Sequence, residues 1–288
     1  MHRYFLTLLI IAVVFFQSAF AGELRSGQFT FSGWDGPALE VHYIEPAEDD
    51  MADAPIVIVM HGVRRNADDY AHNWRELAKE YGFRIYAPEF SQRDFKGAEL
   101  YNLGGIGTDH PSSYAAIEPL FASIMERGGM TDGYYLFGHS AGAQFVHRAL
   151  LFEDLDHLKL AFSANAGWYT MPDESLDWPY GIKGTPADED DLRAWFGKPM
   201  MILLGEEDTD PRDRNLRRSM EALKQGPHRF ARGVTFINAA KAKADELGAP
   251  LIWRGGTVPG VAHDNAGMAI AAAPLSAAHE KNKVDTQP

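Results

Sequence analysis

The chain has 288 residues, 27 Lys and Arg against 40 Asp and Glu, a formal charge of -13 and no cysteine. That acidity argues against nucleic acid and anionic membrane surfaces as partners. Without cysteine, disulfides, a thiolate metal site and a lipid-modified N-terminus are excluded, so a packed core must hold the fold.

The first element is a targeting segment. His2 and Arg3 precede an uncharged apolar run over 4–16, and small residues follow at Ala19 and Ala21. This is the pattern of a secretory signal cleaved after Ala21, and the run is shorter than the roughly 20 apolar residues of a spanning helix. We therefore expect a signal peptide over 1–21, secretion or a periplasmic location, and one domain over 22–288.

Residues 39–44 alternate weakly, as an antiparallel edge strand would, and 55–60 form a continuous apolar run typical of a strand buried on both faces. Helical spacing of Tyr70, Trp74, Leu77 and Ala78 predicts a helix over 66–81, closed by Gly82. There follow a strand over 84–90, a helix over 112–127, a strand over 134–137, a helix over 141–152 and a strand over 159–164. Residues 168–198, rich in Pro, Gly, acids and aromatics, read as a cap or lid inserted after the sixth strand. A strand over 200–204, two helices over 213–247 split at Gly226-Pro227, a strand over 251–253 and a frayed tail from Ala278 complete the chain. Strands alternating with helices predict an α/β fold, a mostly parallel central sheet with helices on both faces.

Gly138-His139-Ser140-Ala141-Gly142 falls where the 134–137 strand meets the 141–152 helix. A serine pushed out of so tight a strand-turn-helix junction needs small residues two positions away on each side, which Gly138 and Gly142 supply. Ser140 is thus the candidate nucleophile. A serine hydroxyl needs a base to take its proton and a carboxylate to orient that base.

The loop after the 200–204 strand carries Glu206, Glu207, Asp208 and Asp210. Asp208 is the preferred acid, with Asp210 in reserve and Glu207 behind them. His263, in the loop after the last strand, is the candidate base. Of the other histidines, His139 sits inside the turn, His147 and His157 lack a fitting partner, and His110 is held as a substrate contact only.

Two backbone N–H groups should face the developing oxyanion, those of Ala141 and of Val63, which follows the buried 55–60 strand. His61 is read as a structural histidine fixing that loop. Trp168 and Tyr169, with Trp178 and Tyr180, open the insert and either wall a pocket or form the insert's own small core. Arg64, with Arg65 beside it, either meets a carboxylate-bearing substrate or stays on the surface, exposed or paired with Asp68 or Asp69. The run 188–191 lacks the spacing of a calcium loop and reads as a solvated helix start. No HExxH, Walker loop or dinucleotide fingerprint occurs.

With Ser140, Asp208, His263 and the His61-Gly62 loop in this order, the chain resembles the α/β-hydrolase superfamily over nearly all its mature length. "MHGVRRNADDYAHNW" and "LFGHSAGAQFVHRAL" look like the secreted bacterial esterases grouped with polyhydroxybutyrate depolymerases and feruloyl esterases. The resemblance implies hydrolysis of a small or oligomeric carboxylic ester through an acyl-enzyme, with no metal or organic cofactor. An exopeptidase or amidase on the same fold, and a non-catalytic binding protein that has kept the fold, are the alternatives.

Overall fold

A computed structural model describes residues 23–47, 53–129 and 131–284; the expected signal segment lies outside them. Eight strands form one sheet in the order β1-β2-β4-β3-β5-β6-β7-β8. The strands are β1 Leu24–Phe31, β2 Leu39–Pro46, β3 Ile56–Met60, β4 Arg84–Glu89, β5 Tyr134–His139, β6 Leu158–Ala164, β7 Met200–Gly205 and β8 Arg254–Val258. β1 and β2 pair antiparallel, as do β2 and β4, and every later pairing is parallel. The mostly parallel α/β sheet expected from the alternation is present.

Its centre is apolar on both faces because helices cover both. All five residues of β3 and all six of β5 are buried. One face packs against α4 (Ala141–Phe152) and α7 (Arg229–Leu247), the other against α1 (Ala67–Asn73), α2 (Arg75–Tyr81) and α8 (Asn265–Val284). On the side of α4 and α7 lie also α3 (Ile117–Glu126) and α5 (Glu189–Phe196), and α6 (Met220–Gln225) completes the α-helices among the described residues.

Several boundaries differ from the sequence reading, each for a physical reason. The helix expected over 66–81 breaks at Trp74, which is fully buried and caps one helix while starting the next. The segment 39–44 is not an edge strand, since β1 lies outside it. The run 251–253 is not a strand. Trp253 instead packs on Trp195 and Phe196, with ring centroids 4.7 and 5.4 Å apart, and donates its indole N–H to the Trp195 carbonyl. The strand is the polar Arg254–Val258, a half-exposed sheet edge with no apolar pattern to betray it. Of the tail expected to fray from Ala278, the described part is helical: α8 continues to Val284, Tyr135 Oη lies 3.0 Å from His279 Nδ1, and Lys159 Nζ lies 2.6 Å from Glu280 Oε1.

Residues 168–198 lead from β6 to β7 through turns, one isolated bridge between Asp177 and Lys183, and α5. Asp188 caps α5: its side chain accepts from the N–H groups of Asp190 and Asp191, and Asp191 reaches back to Asp188 N–H.

Candidate active site

Ser140 sits at the abrupt junction of β5 and α4 with φ 59° and ψ -114°. A positive φ is costly for a side chain with a Cβ and persists only where the surroundings enforce it. Here they do. A Cβ on Gly138 would lie 2.2 Å from the Gly142 carbonyl oxygen, and one on Gly142 would lie 2.1 Å from that of Met60. Both glycines are needed for the backbone to close around the serine.

His263 reaches Ser140 from the loop after β8, with Nε2 3.0 Å from Ser140 Oγ. Its Nδ1 lies 2.8 Å from Asp208 Oδ2. Asp208 follows β7 and is only 4 % exposed, whereas Asp210 and Glu207 face solvent. Of the three acids considered, the structure brings Asp208 alone to the imidazole.

Two supports are missing from the sequence reading. Asn165, just past β6 with φ 48°, accepts from Gly205 N–H at 2.7 Å and donates to the Ala262 carbonyl at 2.9 Å. One side chain therefore ties the loop bearing Asp208 to the loop bearing His263. Arg229, 2 % exposed, holds the other Asp208 oxygen through Nη1 at 3.2 Å, and its Nη2 holds Asp213 at 3.0 Å. Asp213 sits below the usual carboxylate range: its partial burial acts the other way, but hydrogen bonds from Arg229 and the Asn215 N–H outweigh it. A usable signal existed for Arg229, because the first residue of a helix is an unfavourable place for a cation unless a carboxylate compensates it.

The second histidine of the turn, His139, packs its ring 4.6 Å from that of His263, and its Nδ1 lies 3.1 Å from Tyr70 Oη. Burial, reinforced by the nearby His263 and Arg229, holds His139 well below the ordinary histidine range, so it stays neutral. Under the adjacent loop, His61 stacks on Tyr101 at 4.6 Å, donates from Nδ1 to the Gly62 carbonyl and accepts Phe90 N–H on Nε2 at 3.0 Å. Burial pushes its pKa down to about 3.

Gly62 brings that loop against the nucleophile, for a Cβ there would stand 3.9 Å from Ser140 Cβ. Val63 comes next and is 64 % exposed. Ala141 opens α4, where the first N–H groups lack intrahelical acceptors.

Arg65 is neither exposed nor paired with Asp68 or Asp69. It turns inward with φ 62°, lies over the Tyr101 ring, and donates to the carbonyls of Phe90 (2.8 Å), Phe95 (3.0 Å) and Gly97 (2.6 Å). Arg64 is exposed. Trp168 and Tyr169 are buried: Trp168 packs on Tyr180 beneath Arg148, and Tyr169 stacks on Phe236 at 4.5 Å. These two rings belong to packed aromatic clusters and wall no open surface. His147 is likewise buried within α4, while His110 faces solvent.

No profile of a known protein family matches the chain. Among solved structures, poly(aspartic acid) hydrolase-1 from Sphingomonas sp. KT-1 is 40% identical, over 87% of this chain and 97% of that one, with a TM-score of 0.84. LpqC, a poly(3-hydroxybutyrate) depolymerase from Bordetella parapertussis, is 33% identical over 88% and 89% of the two chains, with a TM-score of 0.81. The chain belongs to the α/β-hydrolase superfamily, among the esterases and polyhydroxybutyrate-depolymerase-like enzymes. This α/β-hydrolase also matches Esterase P of Drosophila melanogaster at 27% identity over 145 residues, a stretch that spans only 25% of that longer protein. Among the described residues of the hydrolase, no helix is long and apolar enough to cross a membrane.

Proposed function

We propose that this α/β-hydrolase is an exported serine esterase that cleaves carboxylic esters through an acyl-enzyme on Ser140. The observation that carries the reading is the continuous chain Ser140 Oγ, His263 Nε2, His263 Nδ1, Asp208 Oδ2, with contacts of 3.0 and 2.8 Å. Ser140 Oγ attacks the ester carbonyl carbon as its proton passes to His263 Nε2. Asp208 holds the imidazole with Nδ1–H toward its carboxylate and stabilises the imidazolium. The carbonyl electron pair moves onto oxygen, where the N–H groups of Val63 and Ala141 receive it. Collapse of the tetrahedral species breaks the ester C–O bond, and His263 returns the proton to the departing alkoxide. Water then repeats the sequence on the acyl-serine, releasing the acid and restoring Ser140. Export rests on the apolar run over 4–16 and the small residues before position 22.

Ser140→Ala tests the reading. Release of p-nitrophenol from p-nitrophenyl butyrate should vanish while circular dichroism is unchanged, and a fluorophosphonate probe should label the wild type on Ser140 alone. Retained turnover in the variant would refute it.

One observation favours amide cleavage as a second reading: the 40% identical neighbour is a hydrolase of poly(aspartic acid), a polymer joined by amide bonds. The same triad serves both reactions, but an amine leaves only if protonated as the C–N bond breaks. Rates on an ester and an amide of one acyl group separate the two. Ser140 and His263 side chains held far apart would favour a non-catalytic binding role, but His263 Nε2 lies 3.0 Å from Ser140 Oγ.

A further inference from the structure

Away from the serine, β2 and β4 assemble a second group of chemically competent side chains. The antiparallel register sets Glu40 directly opposite Glu89 and His42 opposite Ala87. Residues two apart in a strand share a face, as do residues directly opposite each other, so Glu40, His42 and Glu89 project from the same side of the sheet. His42 Nε2 lies 3.6 Å from Glu40 Oε1 and 3.6 Å from Glu89 Oε2, and the three ligand atoms all fall within 4.8 Å of one another.

Two features set this group apart from an ordinary surface cluster. Like charges directly opposite each other across a strand pair are destabilising unless something positive lies between them. In addition, His42 Nε2 is sealed from solvent and has no hydrogen-bond partner among the described residues, a costly state for a ring nitrogen. At 3.6 Å neither carboxylate is close enough to hydrogen-bond it. That separation does suit a shared cation: ligand atoms each about 2.1 Å from one ion stand roughly 3.4 Å apart at the tetrahedral angle. Glu40 and Glu89 are 47% and 33% exposed, so an ion can enter from solvent.

We propose that Glu40, His42 and Glu89 form a binding site for a divalent cation of the zinc class, with one imidazole and two carboxylate ligands and a fourth position open to water. An imidazole donor favours such an ion over calcium or magnesium, which take oxygen ligands. The site's role is to brace the sheet beside the catalytic loop rather than to take part in hydrolysis. Glu89 ends β4, and the next residue, Phe90, gives its N–H to His61 and its carbonyl to Arg65. A cation holding Glu89 thus steadies the strand end on which the loop from His61 to Arg65 is anchored. Sequence motifs for metal sites overlook such a group because its ligands come from two strands far apart in the chain.

The experiment uses the full chain, without a polyhistidine tag, stripped with EDTA and titrated with Zn²⁺ by calorimetry alongside thermal unfolding. The expected result is saturable uptake of one ion at this site, with Tm rising as Zn²⁺ is added, and no such rise with Mg²⁺ or Ca²⁺ at equal concentration. His42→Ala and the double variant Glu40→Gln/Glu89→Gln should each lose that uptake and the Tm rise, while fluorophosphonate labelling of Ser140 proceeds as in the wild type. Should His42→Ala fail to fold, the double variant decides alone. Absence of saturable uptake by the wild type, or uptake undiminished in the variants, would overturn the proposal.

Discussion

Arg229 bridges Asp208 to Asp213. Its guanidinium lies 3.2 Å from Asp208 Oδ1 and 3.0 Å from Asp213 Oδ1, leaving Asp208 Oδ2 for His263. The arginine and Asp208 are 3% and 4% exposed at the side chain, so neither can turn to water if the other is lost. Breaking a buried pair by removing one partner costs about 3–5 kcal/mol. Arg229→Ala should therefore lower Tm and, by freeing Asp208 to rotate, reduce kcat on the order of a hundredfold with KM nearly unchanged. Arg229→Lys, which cannot span both carboxylates as a planar fork, should fall between the two. Steady-state kinetics and calorimetry on both variants check this, and a wild-type kcat in Arg229→Ala would show that Asp208 needs no such anchor.

The acid of the triad can be separated from its neighbour two residues on. Asp208→Asn keeps the shape but presents an amide to Nδ1, which favours the wrong imidazole tautomer, and kcat should fall by about 10⁴. Asp210 is exposed and its carboxylate accepts the Arg212 N–H, so Asp210→Asn should leave kcat within twofold, roughly the range of a surface change. The reverse pattern would move the acid to Asp210.

How far the sequence alone could reach follows from the scale of each signal. Gly138, Ser140 and Gly142 were legible because their constraint is local: the turn closes within five residues, and any larger side chain at either glycine strikes backbone. Buried strands such as β3 announce themselves by unbroken apolar runs. By contrast β8, Arg254–Val258, hides because an edge strand need bury little, and the apolar Leu251, Ile252 and Trp253 before it imitate a strand while serving a different contact. Asn165 and Arg229 act across 40 and 21 residues of chain, distances over which no spacing rule operates. The inward turn of Arg65 escaped for the same reason, since its three carbonyl acceptors lie 25 to 32 residues away.

Stability should fall steeply on mild acidification. His61, His139 and His147 are buried and held neutral, the first with its pKa lowered to about 3 and the others well below the ordinary 6.5, in each case chiefly by burial. His61 and His147 also use Nε2 to accept a backbone N–H, which protonation would abolish. In the unfolded chain all three take up protons near pH 6.5. Depressed folded values mean stability that is complete above pH 6.5 and is lost as pH falls below it, for His61 down to about 3. Three protons correspond to a slope of about 4 kcal/mol per pH unit. Urea unfolding at pH 7.5, 6.0 and 5.0 measures it, and His147→Gln should reduce the slope by about one proton. Equal stability at pH 7.5 and 5.0 would contradict the burial argument.

Substrate charge is the remaining property a single side chain can reveal. Arg65 is committed to three carbonyls, which leaves the exposed Arg64, next to Val63 in the chain, as the cation to test. Should it meet the substrate, an ester with a free carboxylate gains an attraction that a neutral ester of similar length lacks. In water such a contact contributes up to about 1 kcal/mol, which is roughly fivefold in KM. Arg64→Ala should raise KM for p-nitrophenyl hemisuccinate by about that factor and leave p-nitrophenyl butyrate unaffected. Half-molar salt should erase the difference in the wild type by screening. Equal KM changes for the two esters would place Arg64 out of reach of the substrate carboxylate.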